Sequence, residues 1–452
     1  MNYHRNFLFL CLVALSTVML AQHPGGGNLN PGLVADEGAV ERFQDMRIGL
    51  SIHWGPSSLG GKEIGWSRDK EIPKEIYDNF YTSFNPVNFD AEEWIQLALD
   101  GGMKYISLTS KHHDGFCLWP SDYTDYDIEN TPFSRDVVGE LSRACKEAGV
   151  VFGSYYSIID WYHYDYQPYS HGGPGELSMN HGREADFDTY NKYMKNQLEE
   201  LVLKYDGEFI QFDGEWEPNW NHERGSDLYR YMRGLREDIL INNRVDVGRH
   251  HLNTETGLWD WSIYAGDFEE RERMVEWVGH ETTVYGRSEI PWQAWVTIDK
   301  AQWSYNPTPK LLTAEEVILD LVKTIGDNGN YLINLGPRPD GTFHPEQVEI
   351  IQKVGAWIKE HECAIYDTRG GPFYKEGEYT STIIGNIVYL FVFDTGKKDI
   401  TFSPGAYTIE NLKLFNGATV DYSAGEGICT ISMETVLQHF ITVYKITMKK
   451  SD

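Results

Sequence analysis

Met103-Lys104-Tyr105-Ile106-Ser107-Leu108-Thr109-Ser110-Lys111-His112-His113-Asp114-Gly115-Phe116 is the stretch on which the fold turns. Its first half, Met103 to Leu108, is a short apolar run that reads as a buried strand. Its second half crowds a lysine, two adjacent histidines and a carboxylate at the end of that strand. Such groups have no core to fill, and parallel α/β folds keep their active sites at the C-terminal ends of strands. Phe209-Ile210-Gln211-Phe212-Asp213-Gly214 repeats the pattern, with a single carboxylate closing an apolar run. Each element has a plainer reading as well. Asp114-Gly115 and Asp213-Gly214 carry turn chemistry, and one histidine at a strand end is commonly structural.

Outward from these runs the chain alternates strand and helix. Strands are expected at Ile48–His53, Lys104–Thr109, Val150–Tyr156, Glu208–Asp213, Ile239–Asn243, Leu258–Ser262, Gln293–Ile298 and Tyr331–Leu335. Asp90 is expected to cap a helix through Trp94 and Leu97, and Ser134 or Arg135 to open another through Leu141 to Ala148. A third spans about Tyr190 to Leu203. Thr313-Ala314-Glu315-Glu316 fits a capping box. Eight strands alternating with helices predict a (β/α)8 barrel over 40–368. After the helix from Pro345 to His361 the pattern shifts to short strands and turns, which predicts a C-terminal antiparallel β-sandwich over 369–452.

Composition narrows the function. The 452 residues are 41% hydrophobic, ample for one large core and a smaller one. The net charge of −29 argues against a nucleic-acid partner, whose phosphates it would repel. Aromatics reach 14%, a content that suits ring faces stacking on sugars as well as a large aromatic core. Residues 1–21 read as a secretory signal peptide with an apolar segment from Phe7 to Leu20, too short for a confident membrane span, and 22–39 as a linker. An exported protein, periplasmic or extracellular, is expected. Cys117, Cys145, Cys363 and Cys429 resemble neither a zinc site nor a disulfide scaffold. One or two disulfides and free buried thiols are equally compatible with them.

The polar residues at strand ends form one constellation. His53 ends strand 1, His112 and His113 follow strand 2, Tyr155 ends strand 3, Asp213 ends strand 4, and Arg244 follows strand 5. Histidines, an arginine, aromatics and a carboxylate suit a polyhydroxylated ligand. Asp213 could attack an anomeric carbon, and a retaining glycosidase would need a second carboxyl group about 5–5.5 Å away. His53, His112, His113 and Asp213 could instead compose a metal site, but no HxH or HxxxH spacing supports it, and no metal or other cofactor is expected.

The chain resembles the α-L-fucosidases of glycoside hydrolase family 29 over about Val40 to Thr368. The resemblance rests on Arg47-Ile48-Gly49-Leu50-Ser51-Ile52-His53-Trp54-Gly55, Lys111-His112-His113-Asp114-Gly115-Phe116, Phe152-Gly153-Ser154-Tyr155-Tyr156-Ser157, Asp160-Trp161, Phe212-Asp213-Gly214 and Asn330-Tyr331-Leu332-Ile333-Asn334-Leu335-Gly336-Pro337. It implies a retaining exo-glycosidase on a barrel, without a metal, acting on fucosylated glycans or polysaccharides. By it Asp213 is the nucleophile. His53, His112, His113, Tyr155 and Arg244 are sugar-binding residues, and Trp66 and Trp303 are aromatic walls.

Three positions depart from the family pattern. Trp292-Gln293 stands where the family has Trp-Glu, and Gln293 cannot donate a carboxyl proton. Gly65-Trp66 replaces a Glu-Trp pair, with Glu63 nearby, and Gln211 replaces a Trp. The acid is therefore expected elsewhere, at Glu281, then Glu289, Glu269 or Glu215. Otherwise the chain cleaves only good leaving groups, is a weakly catalytic fucose-binding relative, or carries a deliberate change at this position. A pocket widened or polarised at Gly65 and Gln211 would fit an α-L-galactosidase with the same mechanism.

Overall fold

The structure is a computed structural model. It describes residues 33, 35–166, 185–247, 252–253, 258–259, 265–275, 291–394, 396–425, 427–433 and 440–450. Eight parallel strands form one sheet: β1 (Ile48–Ile52), β2 (Tyr105–Lys111), β3 (Val151–Ser157), β4 (Phe209–Asp213), β5 (Leu240–Ile241), β6 (Glu269–Glu272), β7 (Trp292–Thr297) and β8 (Asn330–Leu335). Their spatial order is β5-β4-β3-β2-β1-β8-β7-β6, and a parallel bridge between Asn242 and Phe268 joins the two ends into a barrel.

Seven of the eight strands lie where the apolar runs place them. The sixth does not. Leu258–Ser262 was expected there, but Leu258–Trp259 pairs antiparallel with Leu252–Asn253 outside the barrel sheet. The barrel strand is Glu269-Glu270-Arg271-Glu272, which pairs with β7. Its charged residues hide it from any hydrophobic reading. They are tolerated because Glu270 and Glu272 bond to groups from neighbouring strands and turns, and Glu269 pairs with Arg271. Asp136, rather than Ser134 or Arg135, caps the helix Val137–Ala148, accepting from the Gly139 N–H. Asp90 and the Thr313–Glu316 capping box act as expected.

Close packing fills the barrel's lower interior. Tyr105 and Phe209 lie opposite Gly49 and Gly153 in the strand registers. A Cβ on Gly49 would sit 2.5 Å from the Tyr105 ring, and one on Gly153 would sit 2.3 Å from the Phe209 ring. The helix Glu37–Met46 closes the bottom, with Phe43 packed on Tyr105 and Phe268. That helix begins inside the stretch read as linker, because Ala39, Val40 and Phe43 bury against the barrel.

Beyond the helix Pro345–Glu360 the chain builds two antiparallel sheets, one of five strands and one of three. Val388, Leu390, Val392, Tyr444 and Ile446 of the first pack with Ile400, Phe402, Cys429 and Ile431 of the second, forming a sandwich core. The four described cysteines are unpaired, three of them buried. Among the described residues no helix is long and apolar enough to cross a membrane.

Candidate active site

Strand ends bring the functional side chains together at the C-terminal rim. β4 stops at Asp213, aligned with Ser157 at the end of β3. An irregularity in β2 between Thr109 and Lys111 re-aims the chain just before the two histidines. The Asp213 carboxylate is buried. It accepts from the Tyr155 hydroxyl at 2.9 Å and from Arg244 Nη1 at 2.5 Å, and His113 Nε2 lies 3.6 Å away. Burial raises the Asp213 pKa above the ordinary aspartate value, and Arg244 and Tyr155 oppose that rise.

Arg244 has a second partner that sequence reasoning missed. Its Nη2 donates to Glu272 Oε2 at 3.2 Å. Glu272 is the last residue of β6, and its side chain is 40% exposed. One guanidinium thus holds a buried carboxylate at the end of β4 and an exposed one at the end of β6. The two cannot stand further apart than an arginine fork and its two hydrogen bonds. Burial works against the charge on Arg244, but Asp213, Glu215, Glu270 and Glu272 together hold it firmly protonated. The only sequence signal for Glu272 is that a charged tetrapeptide occupies the place of the sixth strand.

Three histidines line the same rim. Burial is the main cause of a pKa near 3 for His53 and for His113, and it holds His112 well below its ordinary value. All three are neutral at pH 7, so each offers one donor and one acceptor. The roles at His53 can be assigned. Asn334 Nδ2 donates to Thr297 Oγ1 and to the Trp303 carbonyl, so its Oδ1 is the acceptor 2.5 Å from His53 Nδ1. His53 Nδ1 therefore carries the proton and Nε2 is an acceptor. His113 Nδ1 pairs with Ser157 Oγ at 2.6 Å. His112 stacks on Tyr155, and its buried Nδ1 has no hydrogen-bond partner among the described residues.

Aromatic rings surround this polar floor. Trp66 meets His113 and Trp161 edge-on, and Trp216 meets His113 from another side. Trp295 and Trp303 pack together at 4.7 Å and both contact His53. Glu63 ties two of these walls together. Its carboxylate accepts from the backbone N–H groups of Trp303 and Ser304, three residues before Trp66 begins the opposite wall. Burial raises the Glu63 pKa, and those N–H groups oppose the rise.

The other expected positions fall elsewhere. Gln293 pairs in register with Asn330 at the start of β8, four residues below the Thr297–Asn334 pair near the rim. At about 3.3 Å per residue, that is deep in the barrel. Its Oε1 accepts from the Tyr105 hydroxyl at 2.6 Å. The inward residue nearer the rim on β7 is Trp295. Gln293 thus packs in the lower layer of the barrel. Gln211 also lies below the site, donating to Glu270 at 2.7 Å. A Cβ on Gly65 would stand 2.8 Å from His112 Nδ1, so this glycine makes room for the histidine. Glu269 pairs with Arg271. Glu215 is buried close enough for its charge to raise the Asp213 pKa. Glu281 and Glu289 lie outside the described residues. Among the described residues no group of three His, Cys, Asp or Glu is arranged to hold a metal.

A parallel barrel with paired carboxylates, neutral histidines and tryptophan walls at its C-terminal rim is the architecture of a glycoside-cleaving site. Comparison with known proteins identifies the family. The profile of the Alpha-L-fucosidase family matches residues 33–362, and the chain belongs to this family of glycoside hydrolases. It is 31% identical over 355 residues to the plasma alpha-L-fucosidase of Pongo abelii, covering 72% of this chain and 69% of that one. The alpha-L-fucosidase isoenzyme 1 of Paenibacillus thiaminolyticus superposes with a TM-score of 0.79 at 30% identity, covering 92% of this chain and 99% of that chain. A GH29 alpha-L-fucosidase from Bacteroides thetaiotaomicron, 27% identical, superposes with a TM-score of 0.79 over 92% of this chain and 97% of that chain. It was captured as a covalent intermediate with 2-fluoro-fucosyl fluoride, using a Glu-to-Gln mutant.

Proposed function

We propose that this protein hydrolyses terminal α-L-fucosides of glycans or polysaccharides with retention of configuration. The observation that carries the proposal is the sharing of Arg244 by Asp213 and Glu272. Asp213 attacks the anomeric carbon and the glycosidic bond breaks. In the reactive form Glu272 is protonated while still accepting from Arg244; it gives that proton to the departing oxygen, leaving a fucosyl ester on Asp213. Glu272 then takes a proton from water, the water attacks the same carbon, and the sugar leaves with Asp213 restored. Arg244 and the Tyr155 hydroxyl each hold one oxygen of Asp213 and so fix its orientation.

The neutral histidines suit sugar hydroxyls, each of which also donates and accepts. Trp66 and Trp303 pack against the apolar parts of the ring. The deep positions of Gln293 and Gln211 and the close packing at Gly65 support fucose cleavage over the weakly catalytic and L-galactose alternatives. The segment 1–21 supports export by signal cleavage, which N-terminal sequencing of the mature protein would check.

The test is hydrolysis of an aryl α-L-fucoside, a natural fucosylated oligosaccharide and an aryl α-L-galactoside. The wild type is expected to cleave both fucosides and to favour fucose. Asp213→Asn should abolish turnover on both. Glu272→Gln should lose about 10²–10⁴-fold on the oligosaccharide and much less on the aryl substrate, whose leaving group needs little protonation. Full activity of Glu272→Gln on the oligosaccharide would place the acid elsewhere. Preference for the galactoside would overturn the substrate assignment.

A further inference from the structure

The reaction leaves Asn242 and Asn243, which follow β5, without a chemical role. Their surroundings give them a mechanical one. β5 is only two residues long, and its register with β4 ends at the Ile210–Ile241 pair, two residues below Phe212. From there the Asn242 side chain takes over from backbone pairing. Its Oδ1 accepts from the Phe212 N–H at 2.7 Å, and its Nδ2 donates to the Phe212 carbonyl at 2.9 Å. A single primary amide thus supplies the donor and the acceptor that a strand neighbour would have supplied. Phe212 is the residue immediately before Asp213.

Asn243 performs the matching task on the other side. Its backbone N–H donates to the Phe268 carbonyl at 2.9 Å, and its Oδ1 accepts from the Glu270 N–H at 3.0 Å. Glu270 lies two residues below Glu272 on β6. The two asparagines are also cross-braced, since Asn242 Nδ2 reaches Glu270 Oε2 at 3.3 Å. Both side chains are fully buried. The turn they open, Asn243–Val245, carries Arg244, which grips Asp213 and Glu272 directly.

We propose that Asn242 and Asn243 are positioning residues: they splice β4 to β6 across the short β5 and so set the spacing between nucleophile and acid. This rests on the assignment of Asp213 and Glu272 above. Attack and protonation depend on that spacing, and a displacement of about 1 Å can cost on the order of 100-fold in rate. The side chains expected to grip the sugar, His53, His112, His113, Tyr155, Trp66 and Trp303, come from other strands and loops; only Arg244 rides on this turn, and its guanidinium is engaged by Asp213 and Glu272. Substrate binding should therefore survive a loosened splice.

The experiment compares Asn242→Asp, Asn243→Ala and Asn243→Asp with the wild type. It measures kcat and KM on an aryl α-L-fucoside, L-fucose affinity by calorimetry, and Tm. Asn242→Asp loses the donors to Phe212 and Glu270. Asn243→Ala loses the acceptor for the Glu270 N–H, which Asn243→Asp keeps. Asn242→Asp and Asn243→Ala should lose about 100-fold in kcat with L-fucose affinity unchanged, and Asn243→Asp should recover most of the loss in Asn243→Ala. Unchanged kcat in folded variants of an active wild type would overturn the splice alone. Parallel losses of fucose affinity and kcat would overturn it too, in favour of general destabilisation. Full turnover by Asp213→Asn would instead overturn the functional assignment beneath it. If Asn242→Asp does not fold, the Asn243 pair decides.

Discussion

Replacing Glu270 by glutamine should change how the stability of the barrel depends on pH. Glu270 is fully buried one layer below Asp213. Its Oε2 accepts from Gln211 and Asn242, with Gln293 at the 3.5 Å limit, and no described residue hydrogen-bonds its Oε1. Burial outweighs these donors and Arg244, raising its pKa from 4.5 to about 7. The folded protein therefore binds this proton more tightly than the unfolded chain does. The resulting stabilisation is fully present below pH 4.5 and is lost as pH rises through about 7. A rise of that size corresponds to about 3 kcal/mol. Glutamine mimics the protonated carboxyl and has no such dependence. Urea unfolding of wild type and Glu270→Gln, followed by tryptophan fluorescence at about pH 5 and about pH 8, isolates this one group. Titrations not coupled to Glu270 cancel in the difference between the two proteins. That difference should shift by about 2–3 kcal/mol in favour of the variant at the higher pH. An identical difference at both pH values would refute the reasoning, because it would mean that Glu270 holds the same charge state folded and unfolded.

Two further outcomes follow from single contacts. Tyr155→Phe removes the hydroxyl that donates to Asp213 at 2.9 Å. Hydrogen bonds to charged groups are worth about 1.5–3 kcal/mol, so kcat should fall at least about tenfold. The same bond favours ionised Asp213, so the acidic limb of the pH–rate profile should move to higher pH. Gly153→Ala drives a methyl group into the Phe209 ring. Overpacking of this kind costs about 1–3 kcal/mol, to be read as a lower Tm, and Phe209→Leu in the same chain should recover part of the loss.

The sequence by itself determined the layout of this protein. Strands such as Ile48–Ile52 and Tyr105–Lys111 are buried along their whole length. They begin as short, mostly apolar runs, and polar residues at their ends mark the rim where the candidate site lies. That logic reached Asp213, His53, His112, His113, Tyr155 and Arg244, because each sits at or just after such a run. The capping box at Thr313 was equally legible, since a cap is a matter of neighbours four residues long. What depends on depth and on partners distant in the chain was settled only by the tertiary structure. Gln293 follows a tryptophan in an apolar run just as an acid would, yet the β7–β8 register puts it at the bottom of the barrel. Glu269–Glu272 has no apolar pattern, because its inward side chains satisfy Gln211, Asn242 and Arg244 from other strands. Glu272 therefore gains its significance from Arg244, 28 residues away, and its pairing with Asp213 exists only once β4, β5 and β6 stand side by side.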